Sequence, residues 1–232
     1  MKRFKKVAIA LGAFILVVGI SWVAYYIYES MYYFSTEDAS VTADMVTITP
    51  EITGKIKRWE VGEGDYVKAG QVLGSQDISS LINSSAINPQ AMAASADAII
   101  SKADIISPIN GKIVKSDVVE GQVVTPGMEI ATVADTSHFY IKAHIEETVI
   151  LKIKPGQEVD ITIDAYPHRR FSGYVENIGQ ATVSAFNTLP SLNTSGTFSK
   201  VTQLIPVQIS IIDSDKLELM PGMNARVKIH LK

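Results

Sequence analysis

His138, His144 and Glu146 share one side of a strand by parity, and two imidazoles with a carboxylate are donors a metal centre uses. Neither the spacing nor any recognisable supporting group completes such a site, so the three read as a solvated polar face. The run His144-Ile145-Glu146-Glu147 lacks the second histidine, four residues on, of a zincin helix. No serine sits in a G-x-S-x-G elbow, and no G-x-x-x-x-G-K-[ST] loop is present. Cysteine is absent from all 232 residues, which removes disulfides, thiolate metal sites and thiol nucleophiles together. With 21 Lys+Arg against 24 Asp+Glu, the chain lacks the basic excess of a nucleic-acid binder. The residues hold no catalytic constellation, so the chain reads as a non-enzyme with no cofactor and no metal.

The chemistry that remains is that of membranes and surfaces. Lys2, Arg3, Lys5 and Lys6 open the chain, and no acidic residue precedes Glu29. Without those four cations, 17 basic residues face 24 acidic ones, so the rest of the chain is clearly acidic. Residues 7–28 are 22 in a row without a charge, enough to span a hydrocarbon core of about 30 Å. Trp22, Tyr25, Tyr26, Tyr28, Tyr32 and Tyr33 crowd the far end as an interfacial belt. A cleaved signal peptide would have a shorter apolar stretch and small residues near its cleavage site. Residues 1–6 are therefore expected as a cytoplasmic basic flank and 7–28 as an uncleaved transmembrane anchor, with the remainder outside the cytoplasm.

Beyond the anchor the sequence repeats itself. Gly54-Lys55-Ile56 is followed by Val61-Gly62-Glu63-Gly64 and then Val67 and Gly70. Gly111-Lys112-Ile113 is followed by Val118-Val119-Glu120-Gly121 and then Val124 and Gly127, every pair offset by 57. Each copy reads as short strands separated by glycine turns, with valine and isoleucine facing a small core. A copy of about 25 residues is too small to bury a core alone, so the two are expected to close on each other.

Two halves reading V-x-E-G-x-x-V-x-x-G resemble the biotinyl/lipoyl-carrier fold, split by an insertion. That arrangement is similar to the HlyD-type membrane fusion proteins, or periplasmic adaptors. The carriers hold their modified lysine on a tight hairpin joining the halves. Here residues 78–105 stand in that place, and their only lysine, Lys102, lies in Ile100-Ser101-Lys102-Ala103, which matches neither carrier flank. The insertion reads as helical, with Asn88 as cap, Pro89 at the first position, and Met92, Ala96, Ile99, Ile100 and Ala103 on one face. A short turn over Asp77–Ser85 would precede it.

Residues 137–232 alternate apolar and polar in several stretches: Phe139, Ile141, Ala143, Ile145; Val159, Ile161, Ile163; Ile205, Val207, Ile209, Ile211; and Ala225, Val227, Ile229, Leu231. With Pro155-Gly156 and Pro221-Gly222 between them, they predict a small antiparallel barrel, to which residues 39–51 would add a leading strand. Asp164-Ala165-Tyr166-Pro167, Phe171-Ser172-Gly173-Tyr174-Val175 and Ile178-Gly179-Gln180-Ala181-Thr182 resemble the EmrA branch of the adaptors. So do Phe186, Leu189-Pro190, Gly196, Phe198, Lys200-Val201, Gln203 and Pro206-Val207, while Thr197 and Leu204 stand where the branch has Asn and Arg.

The reading is a mainly β protein: a transmembrane helix, a lipoyl-like sandwich (52–77 and 106–135) split by a short helical insertion (78–105), and a β-barrel (137–232 with 39–51). The resemblance implies an efflux or secretion adaptor that packs against copies of itself. It would assemble at the outer face of an inner-membrane exporter, of major-facilitator type, with an ABC type as the alternative. Partner-contacting residues are expected at Asn83, Ser84, Ser85 and Asn88 in the insertion and at Glu63 and Glu120 in the repeat. Phe186, Leu189 and Phe198 are expected to do the same in the long polar connection 181–199, for which a plain surface loop is the other reading. A membrane-bound carrier subunit and an extracytoplasmic interaction module remain as alternatives. The insertion is 28 residues, and its helical run would reach only about 22 Å. That length points to a cell with a single membrane.

Overall fold

The uncharged N-terminal run forms α1 (Lys2–Tyr32) in a computed structural model that describes residues 2–77, 79, 102–186, 202–212 and 217–231. Within α1, Phe14–Tyr32 is long and apolar enough to cross a membrane. The side chains of residues 14–28 are exposed on every face, with no protein packed over them. A helix apolar all round needs either a core or a bilayer, and among the described residues no core covers this one.

The chain passes from α1 into β1 (Tyr33–Ile48) with no intervening residue. There follow β2 (Gly54–Trp59), β3 (Tyr66–Val67), β4 (Val72–Asp77), β5 (Asp104–Ile106), β6 (Gly111–Ser116), β7 (Val123–Val124) and β8 (Ala131–Glu146). The remaining elements are α2 (Glu147–Ile150), β9 (Glu158–Ile163), β10 (Phe171–Ile178), a 3₁₀ turn at Val183–Phe186, β11 (Leu204–Ile211) and β12 (Asn224–His230). The fold is mainly β, as the alternation and turn chemistry indicate. The chain divides into two compact units, 1–42 with 140–232, and 43–139.

In the first unit the strands run in the order β1-β12-β9-β10-β11-β8, and β8 pairs with β1 to close a six-stranded barrel. Alternate residues fill it: Ile141, Ala143, Ile145, Val159, Ile161, Ile163, Val207, Ile209, Ala225, Val227 and Ile229 are all buried. Period-2 alternation is what a barrel with one wet face requires. Its leading strand begins at Tyr33 rather than residue 39, because Tyr33 and Phe34 pair with His230 and Ile229 before an irregularity between Thr36 and Ala39. Such a bulge breaks the alternation by which a strand is recognised.

In the second unit, β5-β4-β2-β7 form one sheet, while β3, β6 and the first part of β8 form the other layer. Ile56, Leu73, Ile113, Val124, Ile130 and Val133 lie at the centre of their shared core. The 57-residue offset reappears as reciprocal pairing: β2 meets β7 at Gly54↔Val124, and β6 meets β3 at Gly111↔Val67. Each half thus supplies the edge that the other half lacks.

The insertion ends earlier than the sequence suggests. Asp104 and Ile105 belong to β5, where Ile105 pairs with Gly74 and is buried, and the Ala103 carbonyl accepts the Gln76 amide. Ala103 therefore closes a turn instead of a helical face: the ladder with β4 claims its backbone. The rest of the expected helix, Pro89–Ser101, lies outside the described residues, as do residues 80–85 of the expected turn.

Candidate assembly surfaces

Glu63 and Glu120, offset by 57 and expected at a partner surface, do matching jobs inside the second unit. The Ser116 N–H donates to Glu63 Oε1 at 3.3 Å, and the Trp59 N–H donates to Glu120 Oε1 at 3.2 Å. Trp59 and Ser116 are themselves equivalent positions, and the Trp59 indole N–H donates to Ser116 Oγ at 3.0 Å. The turn ahead of each following strand is tied the same way: the Gly64 amide donates to Ile113 O and the Gly121 amide to Ile56 O, both at 2.8 Å. Gly64 and Gly121 have φ of 95° and 87°, a conformation that a side chain strains. Each carboxylate thus reaches across to the opposite half and holds its neighbour's strand end. Both remain on the surface, so this clasp leaves their outer edges in solvent.

The remaining expected contact residues divide. Phe186 ends the 3₁₀ turn Val183–Phe186, within which Ser184 Oγ donates to Gln203 Oε1. Asn83, Ser84, Ser85, Asn88, Leu189 and Phe198 lie outside the described residues. Lys102 sits in the turn before β5, with its ammonium 3.3 Å from the Glu51 carboxylate.

The histidine face disperses. His144 Nδ1 lies 3.0 Å from Asp38 Oδ1, Glu146 accepts the Thr148 hydroxyl at 3.2 Å, and His138 is exposed. Among the described residues no three His, Asp or Glu side chains gather as a metal site.

The tie between anchor and barrel was not foreseen from the sequence. Lys228 on β12 binds Glu29 near the end of α1 at 2.8 Å, and its ammonium lies 4.3 Å over the Tyr33 ring. The hydrogen bond to Glu29 holds the Lys228 ammonium above its ordinary value, with partial burial opposing it and the Glu29 charge adding to it. His230 packs edge-on against Tyr33, and the Leu231 amide donates to the Tyr32 carbonyl at 2.8 Å. Both ends of the barrel's sequence therefore meet where the apolar helix ends. The only sequence signal was Glu29 itself, the first acid after a long uncharged run.

The two β units are similar to domains of known proteins. Residues 44–136 match the family model of the RND MFP barrel-sandwich hybrid domain, and residues 139–229 match that of the YknX-like beta-barrel domain. The chain is 40% identical over 206 residues to the putative efflux system component YhbJ of Bacillus subtilis, covering 87% of this chain and 81% of that one. It is 33% identical over 134 residues to the colistin resistance protein EmrA of Acinetobacter baumannii, covering 57% of this chain but 38% of that longer relative. Among solved structures, a MacA-MexA chimera carrying the Pseudomonas aeruginosa MexA α-hairpin domain superposes with a TM-score of 0.65. That match has 21% identity and covers 87% of this chain and 82% of that one, a likeness of fold.

Proposed function

The chain belongs to the membrane fusion protein family, the adaptor subunits of efflux systems, and from that premise we propose a single-pass drug-export adaptor for a major-facilitator exporter. Adaptors of this family work with inner-membrane transporters and oligomerise. The observation that carries the reading is the direct passage from a bare apolar helix into a closed barrel, with Lys228 and Leu231 tied back to the helix end. A domain so joined stands at the membrane surface and has no tether along which to wander.

The N-terminus lies in the cytoplasm and the two β units lie outside, as the basic flank directs. The protein works by assembly: several copies sheath the outward mouth of the exporter, which supplies the energy. Drug export is supported by the likeness to a colistin resistance protein. A single-membrane cell is supported by the short insertion between β4 and β5 and by the coverage of the Bacillus relative. Purifying the full-length chain from its own membranes in a mild detergent tests the reading. A polytopic exporter should co-purify. A decarboxylase core would identify a carrier subunit, and the absence of both would favour an interaction module.

A further inference from the structure

We propose that the loop after α2 is a second, reversible membrane contact, with Leu151 entering the headgroup region of the bilayer and Lys152 and Lys154 facing lipid phosphates. Strand register places the loop. Tyr33 pairs with His230, and Ile229 pairs with Val159, so β9 starts at the end of the barrel where α1 enters. A groove of about 1150 Å³ opens there, with Ser30 and Met31 of α1 on one wall and Leu151, Lys152, Lys154 and Tyr174 among its other residues. Met31 belongs to the segment apolar enough to span a membrane, so the groove lies at the level where a bilayer surface would be.

The loop is built to hold Leu151 outward. The Lys152 and Ile153 amides donate to Val149 O and Ile150 O, and Gln157 ties the loop by accepting from the Lys154 amide and donating to Lys152 O. Ile153 is thereby buried while Leu151 is left 89% exposed, beside an exposed Met31 and a half-exposed Tyr174. Neither Lys152 nor Lys154 forms an ion pair with any described residue. Among the described residues, Glu158 is the one acid on the groove, against two cations. An apolar side chain flanked by unpaired lysines suits an anionic bilayer surface. It suits a helix-in-groove partner less, because the α1 wall would itself be in lipid.

The inference rests on α1 spanning the membrane, and one experiment separates the two claims. With no native cysteine, single spin labels can be placed on the full-length chain at Leu151→Cys, Ile20→Cys and Met220→Cys. Ile20 reports on the anchor, and Met220 lies beyond the opposite end of β12. The labelled chains are reconstituted, without any exporter, into phosphatidylcholine vesicles containing phosphatidylglycerol. Accessibility to oxygen is then compared with accessibility to a water-soluble nickel chelate. At Leu151 the oxygen-to-nickel ratio should exceed that at Met220 by about twofold or more, as shallow burial among headgroups requires. It should fall toward the Met220 value in the Lys152→Glu, Lys154→Glu background. A Leu151 ratio equal to that of Met220, with Ile20 still in lipid, overturns the loop contact alone. An aqueous Ile20 overturns the anchor and the loop contact together. Protection of Leu151 only after an exporter is added assigns the loop to that protein and also overturns the proposal.

Discussion

In the unit spanning 43–139, β3 and β7 are two residues long each, and the chain is held by turns and by bonds that cross from one half to the other. In the barrel, strands of six to sixteen residues carry an apolar alternation interrupted only locally, by irregularities in β1 and β10, and closure follows from the sheet itself. The first kind of construction depends on a few backbone conformations repeated at a fixed offset. The second depends on the volume and apolarity of many inward side chains. One consequence is that damage should be tolerated differently in the two units: the barrel is vulnerable at its core and the other unit at its turns.

The barrel core should show the largest effect. Ile161 is fully buried between β10 and β12, and Ile161→Ala removes apolar contact and leaves a cavity costing about 2–5 kcal/mol. Denaturant unfolding of the purified full-length chain should show the loss. The turns rank next. Gly64→Ala and Gly121→Ala impose a strained positive φ, although the new Cβ atoms would meet Lys112 and Lys55 only at ordinary contact distances of 3.9 and 3.7 Å. Each should cost about 1–2 kcal/mol, and the two values should agree. A clear inequality would break the reciprocity on which the comparison rests.

The indole bond between the halves comes third. Ser116→Ala leaves the Trp59 ring in place but removes the acceptor of its indole N–H, a loss of about 1 kcal/mol, readable in the same unfolding series. The smallest effect belongs to the anchor tie. Lys228→Met should leave the melting temperature almost unchanged, because the pair with Glu29 is partly exposed and screened. Its pH behaviour is specific. Since the folded-state Lys228 value lies above the ordinary 10.5, the contribution is complete below that pH and is lost as pH rises through the folded value. Lys228→Met should differ least from the parent in strong alkali, and a growing difference there would contradict the assignment.

The same contrast explains what could be read in advance. The repeat was legible because Gly64 and Gly121 answer a backbone demand that few other residues meet, so their spacing survives as a visible offset. The barrel was legible through Val159, Ile161 and Ile163 and their counterparts, whose alternation mirrors the pleat. β5 was hidden, since three residues carry no period and Asp104–Ile106 is defined by its partner β4. The start of β1 was hidden by its bulge. Glu63 and Glu120 stood out as a pair, but their inward bonds depend on where the opposite half lies in space. Nothing local links Glu29 to Lys228, 199 residues away.

The central claim, that this chain acts as an adaptor for an exporter, is most directly tested by drug accumulation in a host without an outer membrane. The co-purifying exporter is expressed there alone, or together with this chain. Accumulation of the exported compound should fall only when both proteins are present. Equal export by the exporter alone would contradict the account. So would export that appears only after an outer-membrane tunnel that cross-links to residues 83–90 is supplied.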